Sequence, residues 1–459
     1  MDEKNKLAQS SEKKIAVKES MVQKMATYNR IIRFKGGSYI ASDTAQQWQS
    51  LDADEFARRA YKTLGPGVSK SRIRDVEHFF ETSSPDYSEY ARYIAIGEEV
   101  WDRKKLEFTD GCPNEDCVYR SVYPAKKGNS HKQFILDLAC GDEGVADDIM
   151  QAIAPIFMDK KPTGVIWFLG GGANGKSSLI SLVYKVFGTF LSDLTLTQIE
   201  DERDAPALNG KIANICPESS DAPIRDVRTY KAISTHEYFS VHRFNSQDMV
   251  KIDADLHYIF NTNKIPSFSD KGHSTRRRTL VVPFNNKFEL DETFEERTFT
   301  DEFISNFVSD LLKHAKRIES NGYRYSWSGI TEQAKLKYDT QANTAESYFD
   351  ELQAFDIVGF TNFRHLKMDY DNWCDEAGLQ QLGKKTLAKV ADDRGYKRKT
   401  VRNDSGSPAN YYIADGYHYD DMHPLGGIRV GLLQSNSSKK EIAPVGDDNQ
   451  EALQLLKEW

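Results

Sequence analysis

The stretch Gly170-Gly171-Gly172-Ala173-Asn174-Gly175-Lys176-Ser177 decides how this chain is read. It fits G-x-x-x-x-G-K-[ST] at every position. The apolar run Val165–Leu169 precedes it, and the segment from Ser178 to Phe187, with helical spacing, follows. Strand, glycine-rich turn and helix in that order form the setting in which backbone amides and a helix N-terminus surround a phosphate. Gly170, Gly172, Ala173, Asn174, Gly175, Lys176, Ser177 and Ser178 are therefore the candidate nucleotide-binding set. Lys176 is expected on the β- and γ-phosphates of ATP, and the Ser177 hydroxyl on Mg²⁺.

Working outward, four buried strands are expected at 164–169, 211–216, 256–261 and 279–283, in a core running from about 161 to 325. Ligands in such sheets lie beyond the C-terminal strand ends. Glu218 follows the second strand and is placed to ligate Mg²⁺ or polarise the attacking water. Its predecessor is Pro217 rather than a second acid, so Glu218 acts alone or with Asp221. The third strand ends in Asn261-Thr262-Asn263. Asn263, just before Ile265-Pro266, is the candidate for orienting the water. Arg276-Arg277-Arg278 then enter the fourth strand. A buried unpaired arginine is costly, so these read either as a solvated basic turn or as an arginine finger for a neighbouring copy, with Arg277 and Arg278 both suitable.

The segment from Tyr238 to Ile252 alternates apolar residues around a polar tip and predicts a hairpin. Arg243 is the candidate for holding single-stranded DNA there, helped by His242, Phe244 and Lys251. Farther on, a short amphipathic helix followed by strands at 396–402 and 410–414 gives a winged-helix layout. From Lys384 to Arg402 there are eight Lys/Arg and two Asp, net +6, in a chain of net charge −8. Lys384, Lys385, Lys397, Arg398 and Lys399 are the expected phosphate-backbone contacts.

In combination these residues resemble the superfamily 3 helicases of viruses, phages and plasmids, and more closely the poxvirus/phage helicase-primase type. The resemblance rests on Asn174 to Ser177, Glu218, the Lys231 helix, the hairpin, Asn263 to Pro266, and Arg277-Arg278 before Val282-Pro283-Phe284. It extends more weakly over 30–420, including the segment Phe134–Asp142. It implies a P-loop AAA+ motor forming a ring, usually a hexamer, that moves 3′ to 5′ on single-stranded and forked DNA, with the hairpin in the central pore. Such a protein would serve a phage, plasmid or pathogenicity-island replication system, with a separate primase or other replication proteins as partners. An origin-binding initiator or loader that melts DNA without processive unwinding is the alternative. A fused primase is disfavoured, because 130 residues are too few and carry no convincing Asp-x-Asp. A non-DNA AAA+ regulator leaves the hairpin and the basic wing without purpose.

The expected fold class is thus α/β: a P-loop AAA+ core with a helical N-terminal domain and a C-terminal winged helix. The divisions are 1–130 (mostly helical), 131–160 (helical collar, with Asp142 starting a helix), 161–325, 330–425, and a tail at 426–459. A hairpin with a Gly-Gly turn is expected at 30–41, helix from Leu51 to about Trp101, and loop at 109–130. No apolar run approaches the ~20 residues of a membrane span, and the polar first residues suggest no leader. The cysteines are Cys112, Cys117, Cys140, Cys216 and Cys374. Their odd number and irregular spacing suit a reducing cytoplasm. Cys112 and Cys117 with His131 make a poor zinc set, lacking a second pair.

Overall fold

The computed structural model describes residues 20–25, 31–35, 37–41, 48–51, 53–65, 67–83, 86–219, 224, 227–242, 249–266, 268, 273–354, 360–402 and 408–413. Arg243, Phe244, Asp221 and the expected tail at 426–459 lie outside them. The chain divides into two compact units, Met1–Lys335 and Leu336–Trp459. No described helix is long and apolar enough to cross a membrane.

The first unit begins with strands β1 (Ile31–Phe34), β2 (Gly37–Ala41) and β3 (Trp48–Ser50) in an antiparallel sheet, then helices α1 (Ala53–Leu64) and α2 (Lys70–Ser83). The expected hairpin at 30–41 is present, with Ile31 facing Ile40. The helix expected up to Trp101 is not continuous. It gives way to β4 (Tyr93–Ile96) and β5 (Glu99–Asp102), which turn at Gly97 with φ +60°. β6 (Glu107–Phe108) and β7 (Tyr119–Ser121) complete a four-stranded sheet, so the expected loop at 109–130 also carries a strand. Ile94, Ala95 and Ile96 are fully buried. A short unbroken apolar run of this kind has no period that separates strand from helix. The N-terminal segment is therefore mixed rather than mostly helical.

Helices α3 (Lys132–Leu138) and α4 (Glu143–Ile153) follow, broken as expected at Cys140-Gly141, both with positive φ. Asp142 caps α4 by accepting from the Val145 amide at 2.8 Å, an interaction that satisfies one orphan donor of the first turn.

The remaining strands and helices build the central layer: β8 (Val165–Leu169), α5 (Lys176–Phe187), β9 (Leu191–Ser192), α6 (Leu196–Ile199), β10 (Ala213–Cys216), α7 (Arg228–Ser234), β11 (Phe239–His242), β12 (Met249–Ile252), β13 (His257–Thr262), α8 (His273–Arg276), β14 (Thr279–Pro283), α9 (Phe294–Thr298) and α10 (Asp301–Ser320). Five strands form one parallel sheet in the order β14-β8-β13-β10-β9. β8 is apolar throughout because it is central and covered on both faces. Trp167 within it is fully buried, stacks on Phe260 at 4.9 Å and donates to the Tyr230 hydroxyl at 3.2 Å. Burying a side chain of this size contributes about 2–3 kcal/mol. Among the described residues, β11 and β12 pair only with each other.

One core runs from Ile32 and Tyr39 in the first sheet, through Leu138 and Ile153, to Phe168, Ile259 and Ile318. While Ile31, Ile40, Phe56, Val76 and Phe80 of the first sheet and helices α1 and α2 form a separate cluster, parts of the segments expected as N-terminal domain, collar and motor thus share one apolar interior. Cross-links reinforce it: Trp101 Nε1 donates to the Phe157 carbonyl at 2.9 Å and the Tyr119 hydroxyl to that of Lys211 at 3.0 Å. His131 is buried against Asp310 at 3.1 Å, while the Cys112 and Cys117 thiols lie 3.7 Å apart in a separate small cluster.

Helix α11 (Gly329–Ala342) runs across the division. The second unit holds α12 (Thr344–Ala354), β15 (Phe360–Asn362), α13 (Phe363–Glu376), α14 (Lys384–Asp393), β16 (Lys397–Arg402) and β17 (Pro408–Ile413). Its sheet has the order β15-β17-β16, antiparallel throughout. Its own core joins Tyr348, Phe349, Tyr370, Leu387 and Tyr412. The helix-and-hairpin pattern expected at 384–414 is present, with β15 as a third strand that the sequence did not suggest.

Candidate functional site

Because the five central strands are parallel, their C-terminal ends share one edge. The loop 170–175 leaves β8 there and turns directly into α5. Gly172, Ala173 and Gly175 all have positive φ, +93°, +51° and +77°. For Ala173 this left-handed conformation costs about 1–2 kcal/mol. The loop is wrapped tightly. A Cβ on Gly170 would meet the Phe284 carbonyl oxygen at 2.3 Å, and one on Gly175 would meet the Leu138 side chain at 2.3 Å. Within the described chain, the amides of residues 171–177 donate to no carbonyl or side chain. Orphan amides converging at a helix N-terminus form an anion-binding concavity.

Lys176 is buried, yet among the described residues its Nζ meets only neutral oxygens, the Gly170 carbonyl at 2.8 Å and Asn174 Oδ1 at 2.9 Å. Burial pushes its ammonium down to about 8. Asn174 also donates to the Phe284 carbonyl at 3.2 Å, fixing the loop to the end of β14. Ser177 is exposed in the first turn of α5 and Ser178 half-buried behind it. A cation held without a carboxylate, beside free amides, is built to receive an anion.

Glu218 is exposed just beyond β10, on the same edge. β13 lies between β8 and β10, so Glu218 starts two strands from the loop, roughly 10 Å away. The tip of that intervening strand carries the two asparagines, and they differ. Asn263 is exposed. Asn261 is buried and donates to the Pro217 carbonyl at 2.5 Å, while its own carbonyl accepts from the Ser219 amide at 2.8 Å. The Cys216 thiol donates to the Glu218 carbonyl at 3.2 Å. Asn261 thus braces the turn that holds Glu218. Burial separates the two asparagines, and it is not visible in the sequence, which offers Asn263 as the candidate.

The arginines sit elsewhere. Arg276 ends α8, and Arg277 and Arg278 lead into the first residue of β14. Thr279 pairs with Val165 and Pro283 with Leu169, so β14 lies in register with β8 along its whole length. The arginines therefore occupy the strand-start edge, about 16 Å of strand from the loop. Arg277 is exposed; Arg278 is half-buried, and its carbonyl accepts from the Val165 amide at 2.8 Å.

The β11–β12 hairpin is present, with His242 and Lys251 exposed and the tip residues Arg243 and Phe244 outside the described chain. Lys251 Nζ lies 3.9 Å from the centre of the Tyr238 ring, and Tyr238 and Met249 are more than half exposed. Alternation along the hairpin would have pointed to both.

In the second unit, Lys384 and Lys385 are exposed at the start of α14, and Lys397, Arg398 and Lys399 on β16. Alternation puts Arg398 on the opposite face from the two lysines. Arg398 pairs with Asp392 at 2.6 Å and lies over the Tyr412 ring. Arg394 pairs with Glu346 at 2.5 Å and with Asp350. Acids of α12 and α14 thus offset part of the basic stretch counted in the sequence.

No protein-family model matches the chain, and no curated protein matches it. Among solved structures it is similar to the A-form apo structure of the NrS-1 C-terminal region, with TM-score 0.47 and 14% identity over 84% of this chain and 95% of that one. An A-form apo structure of residues 305–718 of the same region gives TM-score 0.43 and 15% identity, over 86% of this chain and 98% of that one.

Proposed function

We propose that the chain is an ATP-hydrolysing DNA motor of the superfamily 3 helicase kind, working as a ring. The observation that carries the reading is the loop 170–176, with its orphan amides and its buried lysine lacking an acidic partner. The residues fit a triphosphate with one Mg²⁺: the amides and Lys176 suit the β- and γ-phosphates, and the Ser177 hydroxyl and Glu218 carboxylate are hard oxygen ligands of the right type. When bound, Mg²⁺ would neutralise charge on the phosphates.

Lys176 would exchange its two neutral oxygens for phosphate oxygens. Glu218, held by Asn261, would orient or deprotonate the attacking water, and Asn263 would face the γ-phosphate from the strand between. Arg277 belongs to the strand-start edge and would complete the site of a neighbouring copy. The β11–β12 hairpin with Lys251, Tyr238 and His242 would grip the phosphates and sugars of a single strand without reading bases.

Strand displacement on forks with 3′ or 5′ tails, for the native chain and Lys176→Ala, tests the reading. Unwinding that needs ATP, Lys176 and a 3′ tail supports it. ATPase stimulated by DNA without displacement on either fork favours the initiator or loader, a reading that draws on the exposed Lys384, Lys385, Lys397 and Lys399 of the second unit.

A further inference from the structure

We propose that the acidic segment Glu289–Glu296, led by Leu290, docks into an aromatic cleft at the strand-start edge of a second copy of the chain. The inference rests on the reading above, in which a nucleotide site is completed by a neighbour.

Leu290 is 91% exposed. Five of the eight residues from Glu289 to Glu296 are acidic and none is basic. The segment is anchored at both ends on the nucleotide edge: the Phe288 amide donates to the Ala173 carbonyl at 2.7 Å, and Ser181 Oγ donates to Glu295 at 2.5 Å. Within it, Asp291 accepts from the Thr293 hydroxyl at 2.8 Å and pairs with Arg297 at 2.9 Å. A fixed loop therefore presents a large apolar side chain to solvent, surrounded by negative charge. An isolated exposed leucine needs no explanation; one at the head of a braced acidic loop suits a contact of opposite charge.

Such a contact lies across the sheet. A cleft of about 410 Å³ is lined by Lys160, Leu280, Tyr323, Arg324, Tyr325 and Trp327. Lys160 leads towards β8 and Leu280 is the second residue of β14, so the cleft opens on the edge that carries Arg277. Tyr325 and Trp327 stack at 4.5 Å, and Lys160 Nζ lies 4.1 Å from the centre of the Tyr323 ring. The neighbouring Lys161 is already engaged by Asp255 at 2.6 Å, which leaves Lys160 and Arg324 as the cations of the rim. The apolar floor suits Leu290 and the basic rim suits its acidic neighbours. A head-to-tail contact joins two different patches, and the one that brings Arg277 to a neighbour's nucleotide edge brings these two edges together.

The test uses the full chain with Cys140→Ser, removing the exposed thiol. Leu290→Cys combined with Arg324→Cys should give a ladder of covalent oligomers on mild oxidation, while a mixture of the two single variants should stop at dimers. A double variant that stays monomeric overturns the proposal. Independently, Leu290→Glu should shift the sedimenting species from oligomer to monomer, while affinity for a fluorescent ATP analogue changes less than about twofold, as for separated sites. An oligomer that survives Leu290→Glu also overturns it. Analogue binding that depends on Lys176, without the ladder, sinks the docking alone. A ladder without analogue binding keeps the docking and sinks the nucleotide reading.

Discussion

The two edges of the five-stranded sheet are made by the same strands and differ in what they leave unsatisfied. At the strand ends, loop 170–175 exposes amide donors and buries Lys176 among neutral oxygens, with Glu218 and Asn263 nearby. At the strand starts, Arg277 is exposed beside a basic aromatic cleft. One edge suits an anion and the other offers cations. The register of β14 on β8 prevents one copy from joining them. On the proposed reading these are two half-sites, and a second copy of the chain would unite them.

The sharpest way to break that comparison is Arg277→Ala. ATP hydrolysis should fall by about 10³-fold or more, as when an arginine finger is removed, while nucleotide binding persists. Doping native chains with the variant should then depress activity more steeply than dilution. A strictly proportional loss would show that Arg277 serves no neighbour. Lys176→Ala attacks the other edge. It should lower the rate by roughly 10²–10³, the usual cost of one preorganised donor, and it should weaken binding of a fluorescent ATP analogue, which Arg277→Ala leaves in place.

Legibility in the sequence followed burial. Four central strands were readable because Val165–Leu169, Ala213–Cys216, His257–Thr262 and Thr279–Pro283 are apolar and flanked by polar turns. The turn at 170–175 was readable because its glycines fall between an apolar strand and a segment with helical spacing. β9, with two residues, carried no pattern. β4 and β5 were misread because Tyr93-Ile-Ala-Ile96 fits strand or helix equally. The order of the strands was not readable, and with it the separation of Arg277 from Lys176. Nor was the pairing of Arg394, since Glu346 and Asp350 lie more than forty residues before it.

Asn261 sharpens the account of the strand-end edge. Asn261→Ala leaves the Pro217 carbonyl without its donor and should cost about 1–3 kcal/mol of stability, read by thermal unfolding. Its larger signature should be a fall in kcat with little change in nucleotide affinity, because it positions Glu218 rather than touching phosphate. Equal losses in both would return Asn261 to a general packing role.

Lys176 also makes the edge sensitive to pH. Its folded pKa of about 8 lies below the ordinary 10.5, so between those values the unfolded chain holds more proton and stability gains from this group as pH rises. A bound triphosphate favours the ammonium and raises the pKa. Calorimetry near pH 8, in buffers of different ionisation heat, should therefore register net proton uptake on binding, absent in Lys176→Met. Proton release would mean that the lysine is not what the phosphates meet.

Ala173→Gly should give the smallest effect and the most informative balance. Glycine relieves a left-handed conformation that costs alanine about 1–2 kcal/mol. It also loosens the unfolded chain, which takes back about 0.4–1 kcal/mol. The melting temperature should therefore move little. Affinity for the ATP analogue should still weaken, because the amides of residues 171–177 attract an anion only while their directions are fixed, and alanine at φ +51° has fewer alternatives than glycine. A clear gain in melting temperature with unchanged affinity would place the strain in the packing of the loop against Leu138 and Phe284. Weakened affinity at constant stability would place it in the readiness of the strand-end edge for phosphate, the property that the strand-start edge lacks.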